Sequence, residues 1–504
     1  MLRVIDQALD RVTMYRLTLY YLLVLLGAAF VLALAGVLPI DPLALASSAA
    51  MIFGVSLLTS ALFARVFGTP ANPDSVVITA LILVLILNPA KVGDVAEIGA
   101  VAFAAIWAMA SKYILSVNRK QLFNPAAFGA VAAALALNQP ASWWVAGNLP
   151  LLPVVAIGGI LIVRKLRRAD LIISYLLATI ATQALTAPIA GFTTGLTQLV
   201  VYSPLLFMGF VMLTEPATTP PVRATRIAYG ALVGILATPA VHAGPYYLTP
   251  ELALLIGNLF AFAVSPKARL ELTLLRIEQS AASALDFVFG VDRAFAFRPG
   301  QYLEFALDVP RSDSRGNRRY FTVASSPTEA ALRVGVKFKD ASSAFKRAMA
   351  AMRPGDKMFA GQLAGDFVLP ADPKRKIAFI AGGIGVTPFR SMVQYLLDRG
   401  ERRPIVLLYG VDRATDVAYR PLWEEASRKL DIRTAYAVAK EATPQGAYAG
   451  YVDEAMIRAE VPDFLEREFY ISGPRALVAA SEKALTGMGV DRRHIKTDFF
   501  PGFA

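Results

Sequence analysis

Lys376-Ile377-Ala378-Phe379-Ile380-Ala381-Gly382-Gly383-Ile384-Gly385-Val386-Thr387-Pro388 decides the fold of the second half of this 504-residue chain. Five consecutive apolar residues bounded by glycine read as a buried strand of a parallel sheet. The glycines allow a tight turn, and Thr387-Pro388 opens a helix, because proline suits the first helical turn. A strand running through a glycine-rich turn into a helix N-terminus presents free backbone amides, a geometry suited to a diphosphate. The spacing differs from the GxGxxG fingerprint. Two more runs end in the same way, Val406-Leu407-Leu408-Tyr409-Gly410 and Phe469-Tyr470-Ile471-Ser472-Gly473-Pro474. Three such turns predict one parallel sheet whose strand carboxyl ends line a crevice.

Upstream, the pattern shortens to alternating strands near 270–277, 284–289 and 301–307, with Arg298-Pro299-Gly300 as a turn. Arg319-Tyr320-Phe321-Thr322 then places a cation, aromatic rings and a hydroxyl within four residues. That grouping suits a flavin nucleotide, with Arg319 for the pyrophosphate, a ring for stacking and Thr322 for the ring nitrogen N5. An arginine on a half-buried strand is the structural alternative. Ser342-Ser343-Ala344-Phe345-Lys346 opens a helical run whose first amides and serine hydroxyls suit a phosphate, or form an ordinary serine cap.

The first half has a different composition. The whole chain is 56% hydrophobic with mean hydropathy +0.51. Residues 1–270 hold 25 charged side chains, whereas 271–504 hold 63, so a membrane domain precedes a water-soluble one. Cysteine is absent, and histidine occurs only at His242 and His494. The chain alone therefore builds no disulfide, cysteinyl zinc site, cysteine-ligated iron–sulfur cluster or bis-histidine transmembrane haem, and no metal site is expected. The net charge of +12 reads as membrane topology rather than nucleic-acid binding.

A span needs about 20 apolar residues to cross ~30 Å of hydrocarbon. Ten candidates lie near 17–38, 44–64, 75–90, 94–114, 124–138, 143–163, 171–188, 195–214, 225–243 and 248–265. With both termini cytoplasmic, fifteen basic residues fall inside and only Lys91 outside, which agrees with an even count in a bacterial inner membrane. No cleaved signal is read at the N-terminus. Asn88-Pro89, Phe123-Asn124-Pro125 and Thr214-Glu215-Pro216-Ala217-Thr218-Thr219-Pro220 interrupt the runs. Each reads as helix termination, but together they suggest backbone lining a cavity.

Two resemblances follow from these motifs. Residues 15–265, through Asp74-Ser75-Val76-Val77-Ile78-Thr79, Phe123 to Gly129 and Met212 to Pro221, resemble the flavin-carrying membrane subunits of the sodium-pumping NADH:quinone oxidoreductase and of the Rnf complex. This implies a further flavin, FMN or riboflavin, in the membrane, with Asn124, Thr214 and Thr218 as binding residues. The family's covalent FMN motif ends Gly-Ala-Thr, whereas this chain has Thr194-Gly195-Leu196-Thr197, so the expected flavin is non-covalent. From Leu270 onward the chain resembles the ferredoxin–NADP reductase family, which implies a β-barrel for FAD and a Rossmann-like layer for NADH or NADPH. Carried over by position, Arg319, Tyr320, Phe321 and Thr322 meet the flavin, with Ser342 and Ser343 at its diphosphate. Gly382, Gly383, Gly385, Thr387, Pro388, Gly473 and Pro474 take the nicotinamide coenzyme. Phe499 covers the ring, and Thr322, Ser472 and Phe500 stand nearest the chemistry. The segment after Gly410, Val411-Asp412-Arg413, lacks the family's Ser-Arg signature for a 2′-phosphate, which favours NADH.

The expected organisation is a ten-span α-helical membrane domain at 1–266, a FAD barrel at 267–372 and an α/β layer at 373–504. The expected activity passes electrons from cytosolic NAD(P)H through FAD and a membrane flavin to an outer-side flavoprotein. One alternative is reduction of quinone at the inner leaflet, and another is a transporter with a regulatory reductase. The expected surroundings are a lipid bilayer and no nucleic acid.

Overall fold

The computed structural model describes the chain apart from residues 1–4, 6–8, 10–11, 69–72, 118–119, 187–191, 240, 244–245, 266–268, 308, 310–312, 314–315, 339–341, 442–444 and 499–504. It divides into two compact units, Met1–Ala268 and Arg269–Ala504.

The first unit is helical. Its main segments are Met14–Leu34, Pro42–Val66, Pro73–Ile86, Val95–Ile114, Pro125–Leu137, Leu152–Leu166, Ala169–Thr186, Phe192–Val201, Arg223–Leu236 and Pro250–Val264. A short turn, Leu205–Phe207, continues into a π-helical turn, Met208–Met212. Side-chain caps start several helices: Thr13 accepts from the Arg16 amide, Asp94 from Ala96 and Glu97, and Asn124 from Ala127. Small residues bring helices together. A Cβ on Gly129 would stand 2.4 Å from the Ala104 carbonyl oxygen, and one on Gly234 would stand 2.5 Å from that of Tyr175.

Helices occur at all ten predicted runs, but the expectation of ten spans is corrected. Among the described residues four helices are long and apolar enough to cross a membrane: Met14–Leu34, Pro42–Val66, Val95–Ile114 and Ala169–Thr186. The pair Thr193–Val201 and Leu205–Met212, bent by 57°, makes a fifth if counted as one span. Proline and asparagine end the others early. Pro73–Ile86 has 14 residues and rises about 21 Å, short of ~30 Å of hydrocarbon. The run predicted at 143–163 is a turn as far as Leu151, and its helix starts at Leu152.

The second unit contains two six-stranded sheets. In the first, all neighbours are antiparallel, in the order Arg318–Thr322, Tyr302–Ala306, Lys357–Ala364, Leu270–Ala281, Ala284–Val291, Leu332–Lys337. The sheet curls so that its outer strands meet: the Ala324 amide donates to the Arg333 carbonyl at 2.8 Å. The second sheet is parallel, in the order Tyr448–Ala449, Arg433–Val438, Ile405–Val411, Ile377–Gly382, Glu468–Ser472, Ile495–Thr497. Its central strands are buried on both faces, which explains their unbroken apolar sequence. The strand order reverses between Ile377–Gly382 and Glu468–Ser472, so their carboxyl ends flank a topological switch point.

Candidate functional site

The switch point gathers the predicted coenzyme residues. Ile377–Gly382 leads through a 3-10 turn, Gly383–Val386, into the helix Thr387–Arg399. A Cβ on Gly385 would lie 2.4 Å from the Gly473 Cα, so the turn touches the Ser472-Gly473-Pro474 loop backbone to backbone. Gly382 faces the Pro474 ring, where a Cβ would stand at 2.8 Å. Gly383 has φ +52, a conformation open to glycine at little cost. Its carbonyl accepts from the Tyr409 hydroxyl at 3.0 Å. Burial pushes that phenol above its ordinary range. The Ser472 hydroxyl donates to Asp498 at 3.1 Å.

On the antiparallel sheet, strand pairing sets which residues share a face. Arg319 and Phe321 lie opposite Phe305 and Leu303, while Tyr320 and Thr322 lie opposite Glu304 and Tyr302. The four predicted flavin residues therefore divide between two faces, because a strand alternates at every residue. Arg319 is 1% exposed. It donates to the Gly316 and Arg318 carbonyls and lies 5.2 Å from the Phe345 ring centre. Phe321 packs against Phe305 and Phe345, and the Tyr320 hydroxyl donates to Glu304 at 2.9 Å. Ser343 caps the helix Ala344–Ala350 by accepting from the Lys346 amide, and Ser342 directly precedes it. The Asp313 carboxylate accepts from the Ala344 amide at 2.8 Å and comes within 3.9 Å of Arg319. An anion thus already lies beside Arg319, which fits the chemistry of a flavin diphosphate. Phe499 and Phe500 lie outside the described residues.

The first unit contains a cavity of about 590 Å³, partly open to the surface. Its apolar walls carry a few polar groups, the usual make-up of a small-molecule site. Asn124 and Thr214 line it, as predicted, beside Tyr15, Thr18, Ser75, Thr79 and Glu215. Thr218 joins them through Glu215. That carboxylate accepts from Gln121 at 2.9 Å, Asn124 at 2.8 Å and Thr218 at 3.1 Å. The Asn124 amide donates to Asn258, and Asn258 donates to the Tyr229 hydroxyl. Lys112 donates to the carbonyl and hydroxyl of Ser75. Asn124 therefore caps a helix and also belongs to a buried polar cluster. The sequence reading missed Glu215, although it lies within the quoted Thr214-to-Pro220 motif.

Known proteins point to the second unit. The oxidoreductase NAD-binding domain family matches residues 379–483, within the parallel sheet. The chain is 26% identical over 233 residues to the glycine betaine monooxygenase reductase subunit of Chromohalobacter salexigens, covering 45% of this chain and 62% of that protein. It is 29% identical over 218 residues to the stachydrine N-demethylase reductase subunit Stc4 of Rhizobium meliloti, covering 42% and 61%. The flavohemoprotein of Halalkalibacterium halodurans is 25% identical over 219 residues, covering 41% and 52%. This chain therefore spans about half to three-fifths of these relatives. Among solved structures, the Amycolatopsis cytochrome P450 reductase GcoB is 25% identical, covering 47% of this chain and 71% of that one, with a TM-score of 0.43. The second unit resembles the ferredoxin–NADP reductase family.

Proposed function

We propose that the chain is a membrane-bound flavoprotein that oxidises NAD(P)H and delivers the electrons to an acceptor at or across a bacterial inner membrane. The observation that carries this reading is the close packing of the Gly382–Gly385 turn on Gly473-Pro474 at the switch point. No side chain intervenes there, so backbone amides can approach a dinucleotide diphosphate. Arg319 and Ser343 would hold FAD, which takes a hydride from the dihydronicotinamide and a proton from solvent, then releases two electrons singly. NADH is the proposed coenzyme, because Asp412 follows the strand Ile405–Val411, where a carboxylate opposes a 2′-phosphate. Asp412 is paired with Lys440 at 3.0 Å.

The membrane part of the proposal rests on apolar exposure. Leu34, Leu58, Leu62, Ile157, Leu177 and Leu185 are all more than half exposed, on helices that water alone would solvate poorly. Both termini and the second unit are placed on the cytoplasmic side. A second, non-covalent flavin (FMN or riboflavin) occupies the cavity beside Asn124, Thr214 and Glu215, as the resemblance to the membrane subunits of the sodium-pumping oxidoreductase and the Rnf complex implies. The acceptor is an outer-side flavoprotein. Quinone reduction is the second reading, favoured by the apolar wall that Ile78, Ile82, Leu166 and Val211 give the same cavity.

The test is flavin analysis and vesicle kinetics on purified full-length protein. The proposal expects FAD plus a second flavin, both bleached by NADH, and reduction of an impermeant acceptor on the far side of a vesicle. FAD as the sole flavin would overturn the membrane route, and reduction of quinone alone would select the second reading.

A further inference from the structure

We propose that Tyr419 is a positioning residue for hydride transfer, acting through a closed ring of contacts that fixes the coenzyme turn against the antiparallel sheet; this rests on the reductase reading above. The Tyr419 hydroxyl donates to Asp286 at 2.8 Å across 133 residues of sequence. Asp286 is fully buried on the strand Ala284–Val291, and its other oxygen accepts from Arg333 at 2.9 Å. Its neighbour on the adjacent strand is Gly335. A Cβ on Gly335 would stand 2.6 Å from the Tyr419 hydroxyl, 2.8 Å from the Thr387 methyl and 3.1 Å from Asp286. Thr387 is the first residue of the helix that follows the coenzyme turn.

The ring closes on the other side. The Ala418 amide donates to the Tyr409 hydroxyl at 3.2 Å, and that hydroxyl donates to the Gly383 carbonyl. Gly383, Tyr409, Ala418, Tyr419, Asp286, Gly335 and Thr387 therefore form a continuous circuit through both sheets. Two further bonds brace it: Ala282 amide to Thr415 carbonyl at 3.0 Å, and Ser283 hydroxyl to Asp416 at 2.7 Å.

Two features mark this circuit as more than packing. Tyr419 has φ +57, a backbone state that non-glycine residues enter at a cost. Asp286 is a fully buried carboxylate that depends on Arg333 and Tyr419 to offset its desolvation. A hydrophobic contact would hold the sheets together without either cost. What the bonds add is a defined separation, and hydride transfer is steep in distance: a misplacement of about 1 Å costs on the order of 100-fold.

The test compares Tyr419→Phe and Gly335→Ala with the parent in purified full-length protein. Amide hydrogen exchange over residues 382–387, measured without coenzyme, should quicken about tenfold in both. The kcat for NADH with ferricyanide should fall about tenfold or more, with a larger isotope effect from 4-deuterated NADH, while KM and bound FAD stay within about twofold. Unchanged kcat and exchange in both variants would overturn the proposal, as would a fall in kcat that follows FAD loss alone. A parent protein whose flavin stays oxidised under NADH would instead overturn the reductase reading.

Discussion

Gly385 and Gly473 meet across the switch point so tightly that a single methyl group on the first would stand 2.4 Å from the Cα of the second. Gly385→Ala must therefore push the two coenzyme loops apart. The KM for NADH is expected to rise about tenfold or more, with stability lower by about 1–3 kcal/mol and FAD retained. Steady-state kinetics beside flavin quantification separates these effects, and an unchanged KM would remove the loop contact from the site.

Arg319 is the buried cation nearest the proposed diphosphate. Charge-assisted bonds of about 1.5–3 kcal/mol predict that Arg319→Ala weakens FAD binding roughly 10- to 100-fold. Fluorescence titration of the flavin-free protein reads this directly. Tyr320→Phe, which removes only the hydroxyl bonded to Glu304, is expected to change FAD affinity far less.

The strand end at Glu468 gives a pH prediction. Burial alone would raise this carboxyl, but hydrogen bonds and charge from Lys496 and Arg375 outweigh it and hold the carboxyl below the usual glutamate range. A folded-state value below the unfolded one means stability that is present above the ordinary glutamate range and is lost as pH falls through the folded value. Lys496→Met should therefore lower the thermal midpoint at neutral pH, with the deficit shrinking as pH drops below that range. Melting curves from neutral to acid pH check the convergence.

Glu215 gathers donors from Gln121, Asn124 and Thr218 at the wall of the membrane cavity. Glu215→Gln nearly preserves shape but sets an amide against groups that already donate. The expected result is at least about a fivefold drop in second flavin per FAD, with NADH-to-ferricyanide activity retained. Chromatography of extracted flavins makes the measurement, and an unchanged ratio would place the second flavin elsewhere.

The parallel sheet was legible in the sequence because its strands are buried on both faces and each of the three turns ends in glycine. Arg319 and the Gly382-to-Pro388 turn were legible for the same reason, since their chemistry is contiguous. The faces of Tyr320 and Phe321 were not, because they depend on pairing with Tyr302–Ala306. Span count was misjudged where apolar runs contain proline and asparagine: a run near 124–138 supports a helix of only 13 residues, Pro125–Leu137. Tyr419 and Asp286 lay beyond pattern reading altogether, as nothing local to either announces the other. Glu215 stood in view, yet its partners at Gln121, Asn124 and Thr218 become evident only in three dimensions.

The π-helical turn over Met208–Met212 lies just ahead of Leu213, Thr214 and Glu215. Such a turn amounts to one residue inserted into an α-helix. Removing any one residue of the five would restore ordinary winding and swing everything downstream by about 100°. Glu215 would then leave the cavity wall with no change in its own chemistry, so this stretch should tolerate exchange of side chains far better than any change in its length.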